Sequence, residues 1–460
     1  MRLVWCAVLV MCLVGVREAP AEEAVRAFVG ATLIPIDGPE IENGVLVIEG
    51  GRIAAVGPAG SVKVPTGAEV IDASGRVIMP GLVDTHSHVG GFGGADGSHP
   101  IQPGVRIADS LNPFDGGFRR VVAGGLTTLN VMPGSGHLSS GQTQYLKMRL
   151  GASREEREER DGPRTIEELF IYDRVADGEE SPWGEEPMGG LKMANGTNPM
   201  RDPPFPGTRG KAAMMVRQRF IQAQEYAAKL ESAAEGDGEA PKRDLDLEAL
   251  VDVLSGRRIV HHHTHRADDI MTVLRLADEF GFRVVLHHVS EGWRVADEIA
   301  AAGVPCSIII VDSPGGKLEA RYLIFETGAV LERAGAKVAY HTDDWITDSR
   351  LFLRSAALGV RAGMTREGAL RSLTMAGAEM MDLQDRVGSL TVGKDADLVV
   401  LSGDPLSVYT QVLETWVEGV KVFDRAVPAD EAVAVGGYNA LQETEPYFCC
   451  YDHLMKAAMK

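Results

Sequence analysis

The sequence is poor in cysteine, with five in 460 residues. Cys6 and Cys12 lie in the first apolar stretch, which leaves Cys306 and the adjacent pair Cys449 and Cys450. Three scattered thiols make no disulfide framework. Cys306, inside the apolar run 305–311, reads as a small buried hydrophobe rather than a nucleophile. Positive charge is also in short supply: 46 Lys and Arg face 65 Asp and Glu, a formal net charge of -19. That argues against nucleic acid or an anionic membrane as the main partner, because phosphate recognition needs a basic surface. Beyond the first residues, no apolar run is long enough to span a bilayer.

What is present is ample core material, 45% hydrophobic residues with 24% charged, the balance of a globular chain. Residues 1–21 read as a separate object: Arg2, the apolar run Leu3 to Val16, then Ala19, Pro20 and Ala21 in an A-x-A arrangement. This is the pattern of a secretory signal peptide, so a secreted or periplasmic protein is expected. Cys12 follows Val10 and Met11, without the small residue that a lipid anchor would call for.

Residues 22–79 alternate and are punctuated by glycine, as in GVLVIEGGRIAAVG, and a similar texture returns in 380–426 with VGSLTVGKDADLVVLSGDP and TQVLETWVEGVKVFDR. Both read as antiparallel β structure. The expectation is that they pair into one small β-sandwich built from both chain ends, followed by a tail at 427–460. Residues 80–379 instead repeat strand, helix, strand, which implies a parallel sheet. The economical α/β reading is a TIM-like (β/α)8 barrel, with a doubly wound sheet as the fallback. Residues 137–260 read as an insertion in it, with the charge run REEREER as a solvated helix face and Pro203 to Gly210 as a cover over a site.

The chemistry-bearing residues fall at predicted strand ends. In PGLVDTHSH, strand alternation puts positions 84, 86 and 88 on one side, so His86 and His88 can converge on one ion. Neutral imidazole is the commonest transition-metal ligand, and an HxH pair makes half of a zinc-like site. Three further clusters follow: His261, His262, His263 and His265, of which 261, 263 and 265 share a face; His287 and His288, between which parity does not choose; and His341, Asp343 and Asp344 in YHTDDW.

With these motifs in order, from PGLVDTHSH through HTHRADD, HHVSEG and HTDD to RVGSLTVGKDADLVVLSGDP, the chain resembles the amidohydrolase superfamily of metal-dependent hydrolases over residues 25 to 425. HRADDI and EGWRVADEIAAAGVP resemble its imidazolonepropionase and exported prolidase-like branch. The resemblance implies one or two divalent ions, Zn2+ above all, with His86, His88 and Asp343 around the first. His263 and His288 would hold a second ion, or in a one-ion variant one of them would bind and the other meet substrate. It also implies Lys192 as a candidate bridging ligand, carbamylated because an unmodified ammonium is a poor one; a salt-bridged lysine is the equal alternative.

Within that resemblance Asp343 moves the proton from water to the leaving nitrogen, and His265 stabilises the oxyanion or holds a substrate carboxylate. His137 and Ser139 in GSGHLSSGQ, with Arg266, are the substrate-binding candidates, a plain turn role being equally open for the first two. The expected partner is a small molecule with a C–N bond to hydrolyse: an amide, cyclic amide or dipeptide. A homo-oligomer is left open. A deaminase is the rival, although the H-x-E signature that supplies its acid is missing. A non-catalytic metal-containing binding protein is the third reading.

Overall fold

The computed structural model describes residues 25–91, 94–153, 162–174, 181–309, 317–344 and 346–436. Residues 1–21, read above as a signal peptide, the charge run 154–160 and Cys449 and Cys450 lie outside them. The fold is mixed α/β, with three hydrogen-bonded sheets among the described residues.

The largest sheet draws on both chain ends. Gly50 and Gly51 both have left-handed backbone, φ +56° and +71°, which a two-residue hairpin turn requires and glycine adopts freely. They join the strands Ile41–Glu49 and Arg52–Pro58. Arg26–Leu33 pairs with the first of these, and Val77–Pro80 connects the N-terminal half to the C-terminal strands Leu398–Leu401, Val412–Val417 and Val420–Asp424. The junction is antiparallel, with Leu398 opposite Pro80 and Leu401 opposite Val77. One face buries Phe28, Leu46, Ile48, Ile78, Leu398 and Trp416, and the Phe28 and Trp416 rings meet edge-on at 5.3 Å.

The two inner sheets carry the chemistry. Leu191–Ala194, Val260–Thr264, Val284–His288, Cys306–Ile308 and Val338–Tyr340 run parallel in that order. Leu82–Ser87 runs parallel to Leu126–Val131, which pairs antiparallel with Gln144–Lys147. Every residue of the five parallel strands is buried, as expected where helices cover a parallel sheet. The helices Ala267–Phe280, Ala296–Ala301 and Thr327–Ala334 alternate with the strands along the chain. The first buries Ile270, Val273, Leu274, Ala277 and Phe280 along one stripe. At the open edge a parallel bridge links Ser87 to Asp344, and the Asp343 N–H donates to the His86 carbonyl at 2.9 Å. The first and last strands of this set therefore end side by side.

One expectation needs correcting. Residues 137–260 are not a simple insertion: they supply the strands Ser139–Gln142, Gln144–Lys147 and Leu191–Ala194, and the helices Arg209–Ala234 and Leu245–Leu254. Four-residue strands are too short to leave a periodic trace in sequence.

The large sheet is tied to the inner strands by a buried ion cluster. Lys147 Nζ lies 3.0 Å from Asp395 Oδ2 and 2.8 Å from Asp397 Oδ2. Arg386 and Arg174 also reach Asp395, at 3.1 and 2.8 Å. Burial alone would push the Asp395 carboxyl up, but Lys147 and Arg386 hold it well below the usual carboxylate range. For Asp397, burial outweighs Lys147 and the shift is upward. One ammonium therefore serves two carboxylates unequally.

Candidate metal centre

His86, on the Leu82–Ser87 strand, and His88 just beyond it bring their Nε2 atoms within 3.2 Å of each other. Asp343 Oδ1 lies 3.3 Å from the first and 3.0 Å from the second. All three residues are buried. Donor separations of this size match the edge of a tetrahedron with metal–ligand bonds of about 2.0–2.1 Å, roughly 3.3 Å. The donor set, two imidazoles and a carboxylate, is of the zinc type, so the residues fit the ion.

The surrounding structure fixes these donors. His88 Nδ1 faces the Met132 carbonyl at 2.7 Å, so Nδ1–H donates there and the Nε2 lone pair points inward. Asp84 Oδ1 accepts from the His86 N–H at 3.0 Å and the Thr342 N–H at 3.2 Å, while its other oxygen accepts from the Thr342 hydroxyl. Burial drives the Asp84 carboxyl up to about 7. Asp343 sits at φ +49°, a left-handed conformation uncommon for a side chain other than Asn or Asp and found disproportionately at functional sites.

More histidines surround the centre. His287 and His288 are neighbours in sequence, yet their rings lie 4.9 and 5.0 Å from that of His86. Strand alternation would turn one of them away. The φ of +70° at His288 breaks the alternation and brings both inward. His341, 4.8 Å from His86 ring to ring, offers Nδ1 to the Ser307 hydroxyl at 2.7 Å. His263 stands across His288 at 4.3 Å, with Asn198 Nδ2 at 3.1 Å from its Nε2. His265 lies 5.0 Å from His288, its Nδ1 on the Ser290 hydroxyl at 2.7 Å. His261 links Tyr145 to His287 through contacts of 3.1 and 2.9 Å. Lys192 Nζ lies 3.0 Å from His86 Nε2 and 3.0 Å from Met132 Sδ.

Burial pushes the pKa of His86, His263, His265, His287 and His288 well below the ordinary histidine value, with neighbouring positive groups adding to it. His261 and His341 come down to about 3, again chiefly by desolvation. At neutral pH these rings are uncharged and keep a lone pair for a metal. Burial would raise Asp343, but His88 beside it more than offsets this, so it stays ionised.

These depressed values predict acid lability. Between pH 6.5 and 4 the unfolded chain binds protons that the folded chain does not, so stability falls as pH falls, by up to about 1.4 kcal/mol per pH unit for each such histidine. The urea midpoint of metal-free protein is expected to drop steeply from pH 7 to 4.5; a flat profile would contradict this.

The remaining sequence candidates have partners of their own. His137 is buried 3.1 Å from Arg201 Nη2 and 5.4 Å from the Phe205 ring, and desolvation, then Arg201, brings it down to about 4. Ser139 lies in a strand rather than a loop, its hydroxyl turned to the Lys192 carbonyl at 3.4 Å. Arg266 precedes a helix and pairs with Asp268 at 2.9 Å. Sequence reasoning put position 84 on the ligand face but gave Asp84 no role, passed over Asn198, and named His287 and His341 only as members of their motifs. Glu319, near His263 and His265, had no sequence signal.

Three comparisons bear on this geometry. The model of the amidohydrolase family matches residues 190–423. An amidohydrolase of Hapsidospora irregularis is 28% identical over 412 residues, 84% of this chain; the chain spans 40% of that relative's length. Imidazolonepropionase of Rhizobium rhizogenes is 44% identical over 77 residues, 16% of this chain and 19% of the relative. Among solved structures, an amidohydrolase from Thermotoga maritima aligns with a TM-score of 0.76 and 32% identity, over 87% of this chain and 100% of that one. A prolidase complexed with N-methylphosphonate-L-proline aligns at 0.54 with 19% identity, over 87% and 100% of the two chains, a likeness of fold alone.

Proposed function

The chain belongs to the amidohydrolase family, and from that premise we propose that it is an exported metal-dependent hydrolase of a C–N bond in a small amide, cyclic amide or dipeptide. The observation that carries the reading is the convergence of His86, His88 and Asp343 within 3.0–3.3 Å of one another. Export rests on the pattern of residues 1–21 alone, and the N-terminal residue of the mature protein tests it. We also propose that the two inner sheets close as a (β/α)8 barrel, supported by the Ser87–Asp344 bridge, with the sheet of both chain ends as a separate small domain.

When bound, a divalent ion of the zinc class supplies Lewis acidity toward water and the scissile carbonyl. His86, His88 and Asp343 would hold it. Asp343 is buried, ionised and set against both imidazoles, so its carboxylate can take the proton of the attacking water and return it to the leaving nitrogen. His88, fixed by the Met132 carbonyl, keeps that carboxylate aimed. The buried walls around His263, His288 and His341 exclude bulk water, which strengthens every charge interaction inside. A second ion held by His263 and His288 and sharing Lys192 with the first would require a carbamate on Nζ.

The test is a hydrolysis screen of N-acyl amino acids, dipeptides, cyclic amides and aminated heterocycles before and after chelation. Cleavage of an amide that is lost with the metal and restored by Zn2+ is the expected result. Turnover that survives full metal removal would discard the reading, and deamination of a heterocycle alone would replace it.

A further inference from the structure

The proposed hydrolysis makes no use of His261 or His287. Both are fully buried, and His261 Nδ1 lies 2.9 Å from His287 Nε2. At the other edge of its ring, His261 Nε2 lies 3.1 Å from the Tyr145 hydroxyl. The three residues stand on three strands, Gln144–Lys147, Val260–Thr264 and Val284–His288. Gly190 leaves room for the middle ring, because a Cβ there would run into His261. Phenol and two imidazoles thus form one chain of hydrogen bonds. It ends beside the ion donors: the His287 ring stands 4.9 Å from that of His86 and 5.4 Å from that of His341.

The outer end of the chain sets its direction. The Tyr145 ring is packed among Val83, Ile171, Trp183 and Met188, and its hydroxyl has no partner but His261 among the described residues. Desolvation pushes the phenol far above its ordinary value, so the O–H keeps its proton. A buried O–H without an acceptor is costly, so it donates to His261 Nε2. That nitrogen is then the acceptor of the ring, hydrogen sits on His261 Nδ1, and Nδ1–H donates to His287 Nε2. The lone pair of the His287 ring is thereby used, and the other nitrogen, Nδ1, carries hydrogen. His287 Nδ1 is buried and has no hydrogen-bond partner among the described residues.

We propose that Tyr145 and His261 are positioning residues that fix His287 as a hydrogen-bond donor, and that His287 Nδ1–H holds the carbonyl oxygen of the substrate as charge builds on it. A donor fixed in a buried site needs no rearrangement when that oxygen becomes negative. His287 is then no ligand of an ion, although one nitrogen each from His86, His287 and His341 lie within 4.8 Å of one another. The proton of His287 is placed by the hydrogen bonds alone, whereas its role toward substrate rests on the hydrolase reading.

Long-range ¹H–¹⁵N correlation spectra of the whole protein labelled with ¹⁵N-histidine test the position of the proton, the His287 signals being assigned by their loss in His287→Leu. Wild type is expected to carry hydrogen on His287 Nδ1, and Tyr145→Phe to show a mixture of the Nδ1–H and Nε2–H forms. Hydrogen on Nε2 in wild type, or no change in Tyr145→Phe, would overturn the relay.

Kinetics of the metal-loaded protein test the role, with thermal melts to confirm folding. His287→Leu is expected to lower kcat about 10²-fold, the usual cost of one such donor, with KM changed less than about 3-fold and the metal content of wild type. His287→Asn, whose amide N–H can stand where Nδ1–H stood, is expected to recover about tenfold of that loss. Loss of the ion in His287→Leu, or an unchanged kcat, would overturn the donor role. If the proton lies on Nδ1 but wild type cleaves no amide, the relay stands and the hydrolase reading fails. If amides are cleaved and the proton lies on Nε2, the reverse holds.

Discussion

Replacing Asp343 with asparagine is expected to lower kcat/KM by about 10⁴-fold, because on the proposed mechanism the change removes the proton carrier and a charged ligand of the ion together. Asparagine is nearly isosteric and tolerates the left-handed backbone that Asp343 adopts at φ +49°, so the fold should survive. The Asp343 N–H bond to the His86 carbonyl does not involve the side chain and is retained. What is lost is the negative charge 3.0–3.3 Å from two imidazole nitrogens, and with it affinity for the ion. His86→Ala should likewise abolish turnover. Cys306, fully buried at the start of a strand, is the control: Cys306→Ala is expected to change kcat/KM less than about 3-fold. Steady-state kinetics with metal content measured on the same samples checks all three. Equal losses at Asp343 and Cys306 would point to folding rather than chemistry.

The second large effect concerns stability. Lys147→Met leaves Asp395 and Asp397 buried without their shared ammonium, and removing one partner of a buried ion cluster costs about 3–5 kcal/mol. Arg386 and Arg174 still reach Asp395, so the larger part of the loss falls on Asp397. Urea unfolding is expected to show this destabilisation, and adding Asp397→Asn to Lys147→Met should recover part of it. The two changes are then non-additive, as required of residues in contact. Additive effects would mean that the cluster does not couple the end-strand sheet to the inner strands.

Much of this was legible in the sequence where local rules act alone. The His86–His88 pair follows from strand alternation, the Gly50–Gly51 hairpin from left-handed glycine, and the helices and strands from Leu245 to Ile308 from their hydrophobic periods. What escaped was set by tertiary contact or by broken local rules. Parity cannot show that His287 and His288 both face inward, because the left-handed His288 is visible only in three dimensions. Ser139 looked like a loop residue because the strand that claims it has four residues. Lys147 meets Asp395 and Asp397 across separations of 248 and 250 positions, and Glu319 reaches His263 from a segment without any motif. Burial of a charge against a distant partner leaves no periodic trace.

The central claim is that His86, His88 and Asp343 hold a catalytic ion. Anomalous X-ray diffraction at the zinc absorption edge, on crystals of protein loaded with Zn2+, tests it most directly. A peak is expected about 2.0–2.2 Å from His86 Nε2, His88 Nε2 and a carboxylate oxygen of Asp343. Fully loaded crystals with no peak between these three residues would contradict it.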